Sequence, residues 1–137
     1  MSYIDILEAQ LEIDEGKRNK MYLDSKGIPS LGIGHNLRDK PISDRAVRVI
    51  FEDDVADAEA DIRKLFYDFD DLNDNRKAVV LNMMFNMGLP TFSQFKNTIS
   101  LINHGEYGQA ADAMLDSAWA KQVGERAVRL SNLMRSG

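Results

Sequence analysis

The sequence predicts a mainly helical α+β chain, and three observations carry the prediction. Apolar residues recur at three- and four-residue spacing over most of the length. One stretch near the N-terminus, with Gly27, Gly32 and Gly34, reads instead as a β-hairpin. No cysteine is present, so the fold rests on a packed core rather than on disulfides, which suits synthesis in a reducing cytosol. With 137 residues, 44% apolar and 28% charged, there is room for one domain with a core, divided at most into a major and a minor lobe.

Ser2 can cap a helix running to about Glu15, with Ile4, Leu7 and Leu11 on one side and Gly16 as a stop. Two short apolar runs follow, Met21-Tyr22-Leu23 and Ile28 to Ile33. Between them Asp24-Ser25-Lys26-Gly27 is a turn sequence, so residues 17–38 read as a small antiparallel hairpin. Ser43 caps a long helix over residues 43–66 that aligns Val47, Ile50, Phe51, Val55, Ile62 and Leu65. Asp68 to Asp71 form a polar break, and Asn73 caps the next helix. There the run Ala78 to Met87 is apolar nearly all round apart from Asn82 and Asn86, so this helix should be the most buried. Gly88 and Pro90 end it. Thr91-Phe92-Ser93-Gln94 has the form of a capping box for a helix towards Asn103, and two more helices fit residues 106–117 and 125–134.

The net charge of −5 is unevenly spread. Residues 51–74 hold ten acids against Arg63 and Lys64, which reads as a solvated helix face, while the remainder carries 12 acids against 15 bases. No basic stripe interleaved with aromatics suggests nucleic-acid binding. No apolar window is long enough to insert in a membrane, and five acids within residues 1–15 do not read as a signal peptide.

Chemistry falls to the carboxylates. Without cysteine and with only His35 and His104, a metal site or a Cys/His pair has little support. Gly32-Ile33-Gly34 lacks the Lys-Ser/Thr of a phosphate loop, and its glycines read as places of close backbone approach. Glu15 sits at the C-terminal end of the first helix, where the dipole and nearby Glu12 disfavour ionisation, as a general acid requires. Asp24 opens the hairpin turn on a different element. Two carboxylates on separate elements suit glycoside hydrolysis. The plainer reading, which residue type and spacing alone favour, is an exposed helix end at Glu15 and an Asx turn at Asp24.

Asp14-Glu15-Gly16, then Tyr22, Asp24, Gly27 and Ser30-Leu31-Gly32-Ile33-Gly34-His35 resemble the catalytic segment of the T-even bacteriophage lysozyme family. Asn82-Met83-Met84-Phe85-Asn86-Met87-Gly88 resembles that family's central helix. Phe95-Lys96-Asn97-Thr98, Trp119 and Arg126-Ala127-Val128-Arg129 are similar to its C-terminal part, so the likeness runs in order over nearly the whole chain.

The resemblance implies a lysozyme-like two-lobed fold. Residues 17–38 would form the β lobe, residues 43–66 the connecting helix, and residues 1–15 with 67–137 the helical lobe. It implies a muramidase that cuts the β-1,4 bond between N-acetylmuramic acid and N-acetylglucosamine in peptidoglycan. Glu15 would be the proton donor and Asp24 the second carboxylate. Ser30, where the family usually has threonine, would help to hold a water. Asn36, Phe85 and Thr98 fall at positions that line the family's substrate cleft, and Arg126 at that of an arginine which approaches the catalytic glutamate. His35 reads as a structural partner of an acid in the acidic segment. Trp119 and the Met83–Met87 stretch read as core.

Some departures stand out. Residues 38–42 alone join the hairpin to the long helix, so the β lobe should be small, and Ala113 replaces a cleft asparagine. We expect a monomer without metal or cofactor. It would be held in the host cytoplasm until a holin releases it to the periplasm, or carried on a virion. The rival readings are a lytic transglycosylase, which needs no Asp24, and an inactive wall-binding or virion structural module on the same fold. Residues holding a water between carboxylate and sugar predict an inverting enzyme, with carboxyl groups about 6.5–9.5 Å apart.

Overall fold

Ser2 starts the chain's first helix by reciprocal capping. Its hydroxyl accepts from the Asp5 N–H at 3.2 Å, and the Asp5 carboxylate accepts from the Ser2 N–H at 3.0 Å. The Ser2 N–H first, then the Ser2 hydroxyl, which also donates to the Asp5 carboxylate at 2.9 Å, hold the Asp5 carboxyl below its ordinary value. The structure is a computed structural model that describes residues 1–137. Helix α1 spans Tyr3–Asp14 and ends at Gly16, whose φ of 78° is open to glycine at little cost.

Strands β1 (Arg18–Leu23), β2 (Pro29–Gly32) and β3 (His35–Asn36) follow, antiparallel and adjacent in chain order. The expected hairpin is therefore a three-stranded sheet. Its third strand is two residues long, too short to show a period-2 pattern. Tyr22 lies opposite Ser30 and Leu23 opposite Pro29, with an irregularity between Arg18 and Tyr22. Ser30 also pairs with Asn36, which makes β2 the central strand.

The Ser43 hydroxyl accepts from the Ala46 N–H at 3.1 Å and starts helix α2 (Asp44–Leu65). The chain divides into two compact units, residues 1–50 and 51–137, and α2 begins in the first and ends in the second. The first unit holds α1, the sheet and the start of α2.

The second unit is helical: a single 3₁₀ turn (Phe69–Asp71), then α3 (Asp74–Met87), α4 (Leu89–Phe92), α5 (Lys96–Asn103), α6 (Tyr107–Leu115), α7 (Ala118–Val123) and α8 (Glu125–Ser136). Asn73 caps α3 through the Arg76 N–H at 2.9 Å. Helix α3 buries Val79, Val80, Met83 and Met84 but leaves Ala78 and Phe85 exposed, so the nearly continuous apolar run has one open side. The methionines pack with Ile62, Phe66, Phe92, Ile102, Met114 and Met134 in the core, where each fully buried large side chain contributes about 1.5–3 kcal/mol. Small residues Ala110, Ala111 and Ala127 are buried on α6 and α8. On the surface, Arg63 pairs with Asp70 at 2.8 Å, and this hydrogen bond lowers the Asp70 carboxyl and raises the arginine.

Two local expectations fail. Thr91 does not cap a helix. Gly88, at φ 78°, turns the chain so that α4 starts at Leu89 with Pro90 in its first turn, where proline is at home. Thr91 is then inside α4, the Ser93 hydroxyl donates to the Pro90 carbonyl at 2.8 Å, and α5 starts without a side-chain cap. Helix α7, six residues long, was not expected. Ser117 caps it through the Ala120 N–H at 3.2 Å, and Gly124 separates it from α8.

The Ser131 hydroxyl on α8 is buried without a hydrogen-bond partner, and such a group typically costs about 1–3 kcal/mol. Ser131→Ala should therefore leave the thermal midpoint unchanged or raise it. A loss of more than about 1 kcal/mol in urea unfolding would mean that the hydroxyl is bonded.

Candidate active site

Five of the sequence-predicted site residues, Glu15, Asp24, Ser30, His35 and Asn36, lie in the first unit. Glu15 is the C-cap of α1. Its N–H bonds to the Leu11 carbonyl at 2.7 Å, so the backbone is fixed by the last helical turn. The side chain is exposed and lies against Gly34 in the β2–β3 turn. A Cβ added to Gly34 would meet the Glu15 Cγ at 3.2 Å and its Cβ and Cδ at 3.4 Å. Gly34 also has φ of 70°. The Gly32-Ile33-Gly34 motif thus makes room for a side chain rather than for a second backbone. The nearby Gly32, with open space around it, serves the turn through its φ of 68°. Within this unit the Glu15 carboxylate has no hydrogen bond or ion pair.

Asp24 begins the turn between β1 and β2. Its Oδ1 accepts from the Lys26 N–H at 2.8 Å and from the Ile28 N–H at 2.9 Å, an Asx turn that locks the carboxylate. Its Oδ2 has no protein partner in the unit. The Asp24 N–H donates to the Ile28 carbonyl at 3.0 Å, and the Ser30 hydroxyl donates to the same carbonyl at 3.2 Å. Ile28, which sequence reasoning passed over, therefore joins the two groups through its peptide. Ser30 is 3% exposed. With its proton committed, its oxygen is left as an acceptor.

His35 has a different partner from the one expected. Its Nε2 bonds to the Lys40 carbonyl at 3.0 Å in the loop that follows β3, a contact no side-chain pattern announces. The Asn36 Oδ1 accepts from the N–H groups of Arg38 and Asp39 at 3.0 and 2.9 Å, and its Nδ2 donates to Asp39 at 2.9 Å. Asn36 thus organises the turn that leaves the sheet. The Arg38 guanidinium first, then the Asn36 amide, hold the Asp39 carboxyl below its ordinary value.

The other three residues lie in the second unit. Phe85 is 46% exposed, its ring centroid 6.2 Å from that of Phe51. Both line an apolar cavity of about 460 Å³ with Val55, Leu81 and Arg126. The Arg126 Nε and Nη2 donate to the Asn82 Oδ1 at 2.9 and 2.7 Å. Thr98 is buried on α5 and lines a groove of about 550 Å³ with Phe95, Ala113, Ser117 and Trp119. Trp119 is core, as expected, and its Nε1 donates to the Asn86 Oδ1 at 2.7 Å. The two asparagines that interrupt the apolar run of α3 thus each bind a polar group from α7 or α8. The sequence offered their position as a signal, but not their partners.

A helical chain with a small antiparallel sheet, and with a helix-end glutamate beside a glycine turn, is of the lysozyme-like class of mainly α, α+β folds. The pattern of the phage lysozyme family matches residues 12–135, and the chain belongs to that family. It is similar to the probable T4-type lysozyme 2 of Dictyostelium discoideum, 26% identical over 98% of this chain and 96% of the relative. It is 29% identical to the endolysin of Salmonella phage P22 over 82% of this chain and 79% of that protein. It is also 28% identical to the pre-baseplate central spike protein of Enterobacteria phage T4 over 93% of this chain, which spans 27% of the spike protein's length. Family membership supports a glycosidase of lysozyme type.

The contact between Glu15 and Gly34 yields a prediction. Gly34→Ala places a Cβ at a positive φ, at a cost of about 1–2 kcal/mol, and displaces the Glu15 side chain. Lysis of cell-wall preparations should fall more than tenfold in a protein that stays folded at assay temperature. Unchanged lysis would show that the Glu15 position does not depend on this glycine.

Proposed function

We propose that the chain is an N-acetylmuramidase that hydrolyses the β-1,4 bond between N-acetylmuramic acid and N-acetylglucosamine in bacterial peptidoglycan. One observation supports it above the others. The Asp24 carboxylate is locked through one oxygen, with the second free in its unit, and the Ser30 oxygen beside the shared Ile28 carbonyl can only accept. A water that donates one proton to the Asp24 Oδ2 and the other to the Ser30 Oγ keeps a lone pair for the anomeric carbon. Glu15 donates its proton to the glycosidic oxygen as that bond breaks. The water adds to the anomeric carbon, and its proton passes to Asp24. This is a single displacement, and it inverts the anomeric centre. Phe85 and Thr98 line the sugar-binding surfaces of the helical unit and Asn36 that of the small unit. Arg126 is held by Asn82 within its own unit, and His35 supports the sheet through the Lys40 carbonyl. No metal or cofactor takes part.

The protein acts as a monomer on the wall of a bacterial host. The likeness to a phage endolysin supports release from the host cytoplasm through a separate holin. The likeness to a phage spike protein supports the alternative of delivery on a virion. In either case the substrate is the glycan strand.

The test uses two substitutions that keep local structure. Glu15→Gln retains shape but has no acidic proton. Asp24→Asn keeps the Oδ1 acceptor for Lys26 and Ile28, so the turn survives while the charge is lost. Each should lower release of reducing ends from purified sacculi by about 10²–10⁴-fold, the range for general acid–base groups, with unchanged thermal midpoints. Wild-type products should have gained one water per cut by mass. Near-wild-type activity in either variant contradicts the assignment, and 1,6-anhydro products would identify a transglycosylase.

A further inference from the structure

Positive charge in this acidic chain is concentrated on the small sheet. Residues 16–43 carry six bases (Lys17, Arg18, Lys20, Lys26, Arg38, Lys40) against Asp24 and Asp39, a surplus of four. Residues 1–15 carry five acids and no base, and residues 51–137 carry 14 acids against nine bases. The two acids of the sheet region are already engaged, Asp24 with backbone N–H groups and Asp39 with Arg38 and Asn36. Lys17, Lys20, Lys26 and Lys40 are exposed, and none of them forms an ion pair. They border the sheet on several sides: Lys17 and Lys20 along edge strand β1, Lys26 in the turn to β2, and Lys40 after β3, the other edge. In the second unit Arg63, Lys64 and Arg135 are paired with acids and Arg76 and Arg126 are held by carbonyl groups, while Lys96, Lys121 and Arg129 are exposed and unpaired but belong to a unit in which acids outnumber bases 14 to nine.

We propose that this lysine fringe is the surface by which the chain captures the anionic wall polymer, through the carboxylates of peptidoglycan stem peptides. The inference rests on the reading of the chain as a wall hydrolase. Unpaired lysines are point charges suited to mobile, scattered carboxylates, and a local surplus attracts a polyanion even when the whole molecule is negative. A nucleic acid would want exposed rings to stack its bases, and the one tyrosine of β1, Tyr22, has the Arg18 guanidinium 5.2 Å from its ring centroid.

Co-sedimentation with purified sacculi tests this, with Glu15→Gln as the background so that binding is read without hydrolysis. Lys17→Gln/Lys20→Gln should weaken binding by about fivefold or more at low ionic strength, and the difference should disappear near 1 M salt, where the Debye length is about 3 Å. Lys121→Gln/Arg129→Gln, an equal charge change on the second unit, should alter binding by less than about twofold. Equal losses from the two pairs would make net charge, not the sheet, responsible. No loss from the first pair, or aggregation with undiminished binding of the remaining monomer, would reduce the lysines to protection of an edge strand. Tighter retention on duplex DNA than on sacculi would overturn the choice of partner. Charge-dependent binding of the wild-type protein without fragment release would contradict the hydrolase reading and leave this surface standing.

Discussion

The Asp24 turn is the constraint on which the small unit depends. One carboxylate oxygen takes two backbone N–H groups, and the Asp24 N–H closes the loop on the Ile28 carbonyl. That closure sets Leu23 opposite Pro29 and Tyr22 opposite Ser30. A one-residue slip would turn every side chain of β2 to the other face and take Ser30 from its place opposite Tyr22. From the same register β2 runs on to the turn that lays Gly34 against Glu15. The proposed chemical role of Asp24 does not conflict with this structural one, because the oxygen that builds the turn is Oδ1 and the proposal uses Oδ2. The plain reading of Asp24 as an Asx-turn residue and the functional one are thus compatible.

The helical unit solves a different problem. Helix α3 buries Val79, Val80, Met83 and Met84 on its core side, and polar atoms that pack beside that side need partners. Asn82 and Asn86, one turn apart, supply them by binding Arg126 of α8 and Trp119 of α7. The same helix presents Phe85 at its open side. Core and candidate binding surface are therefore two faces of one element, which explains why its apolar pattern reads as nearly continuous.

Much of this was legible because it rests on local rules. Ser2, Ser43 and Asn73 each cap the helix expected to follow them, since a side-chain oxygen three residues before an N–H needs no tertiary context. The long periodic runs gave α2, α3, α6 and α8. Short elements were not legible. A two-residue β3 and helices as short as α4 and α7 have too few residues to show a period. At Thr91 a capping pattern lost to Gly88 and Pro90, which start the helix earlier. The candidate carboxylates were named from residue type and family likeness. Their partners were not, because the Ile28 carbonyl, the Lys40 carbonyl and the Glu15–Gly34 approach are made by backbone and by space, which carry no side-chain signature.

The central claim is that Asp24 and Ser30 hold a water rather than that Asp24 attacks the sugar. The two routes differ in the configuration of the new reducing end, which mutarotation erases with time. Proton NMR of the first-formed N-acetylmuramic acid terminus, recorded before mutarotation, reads it directly. An α-anomer is predicted, and a β-anomer would contradict the single displacement by water.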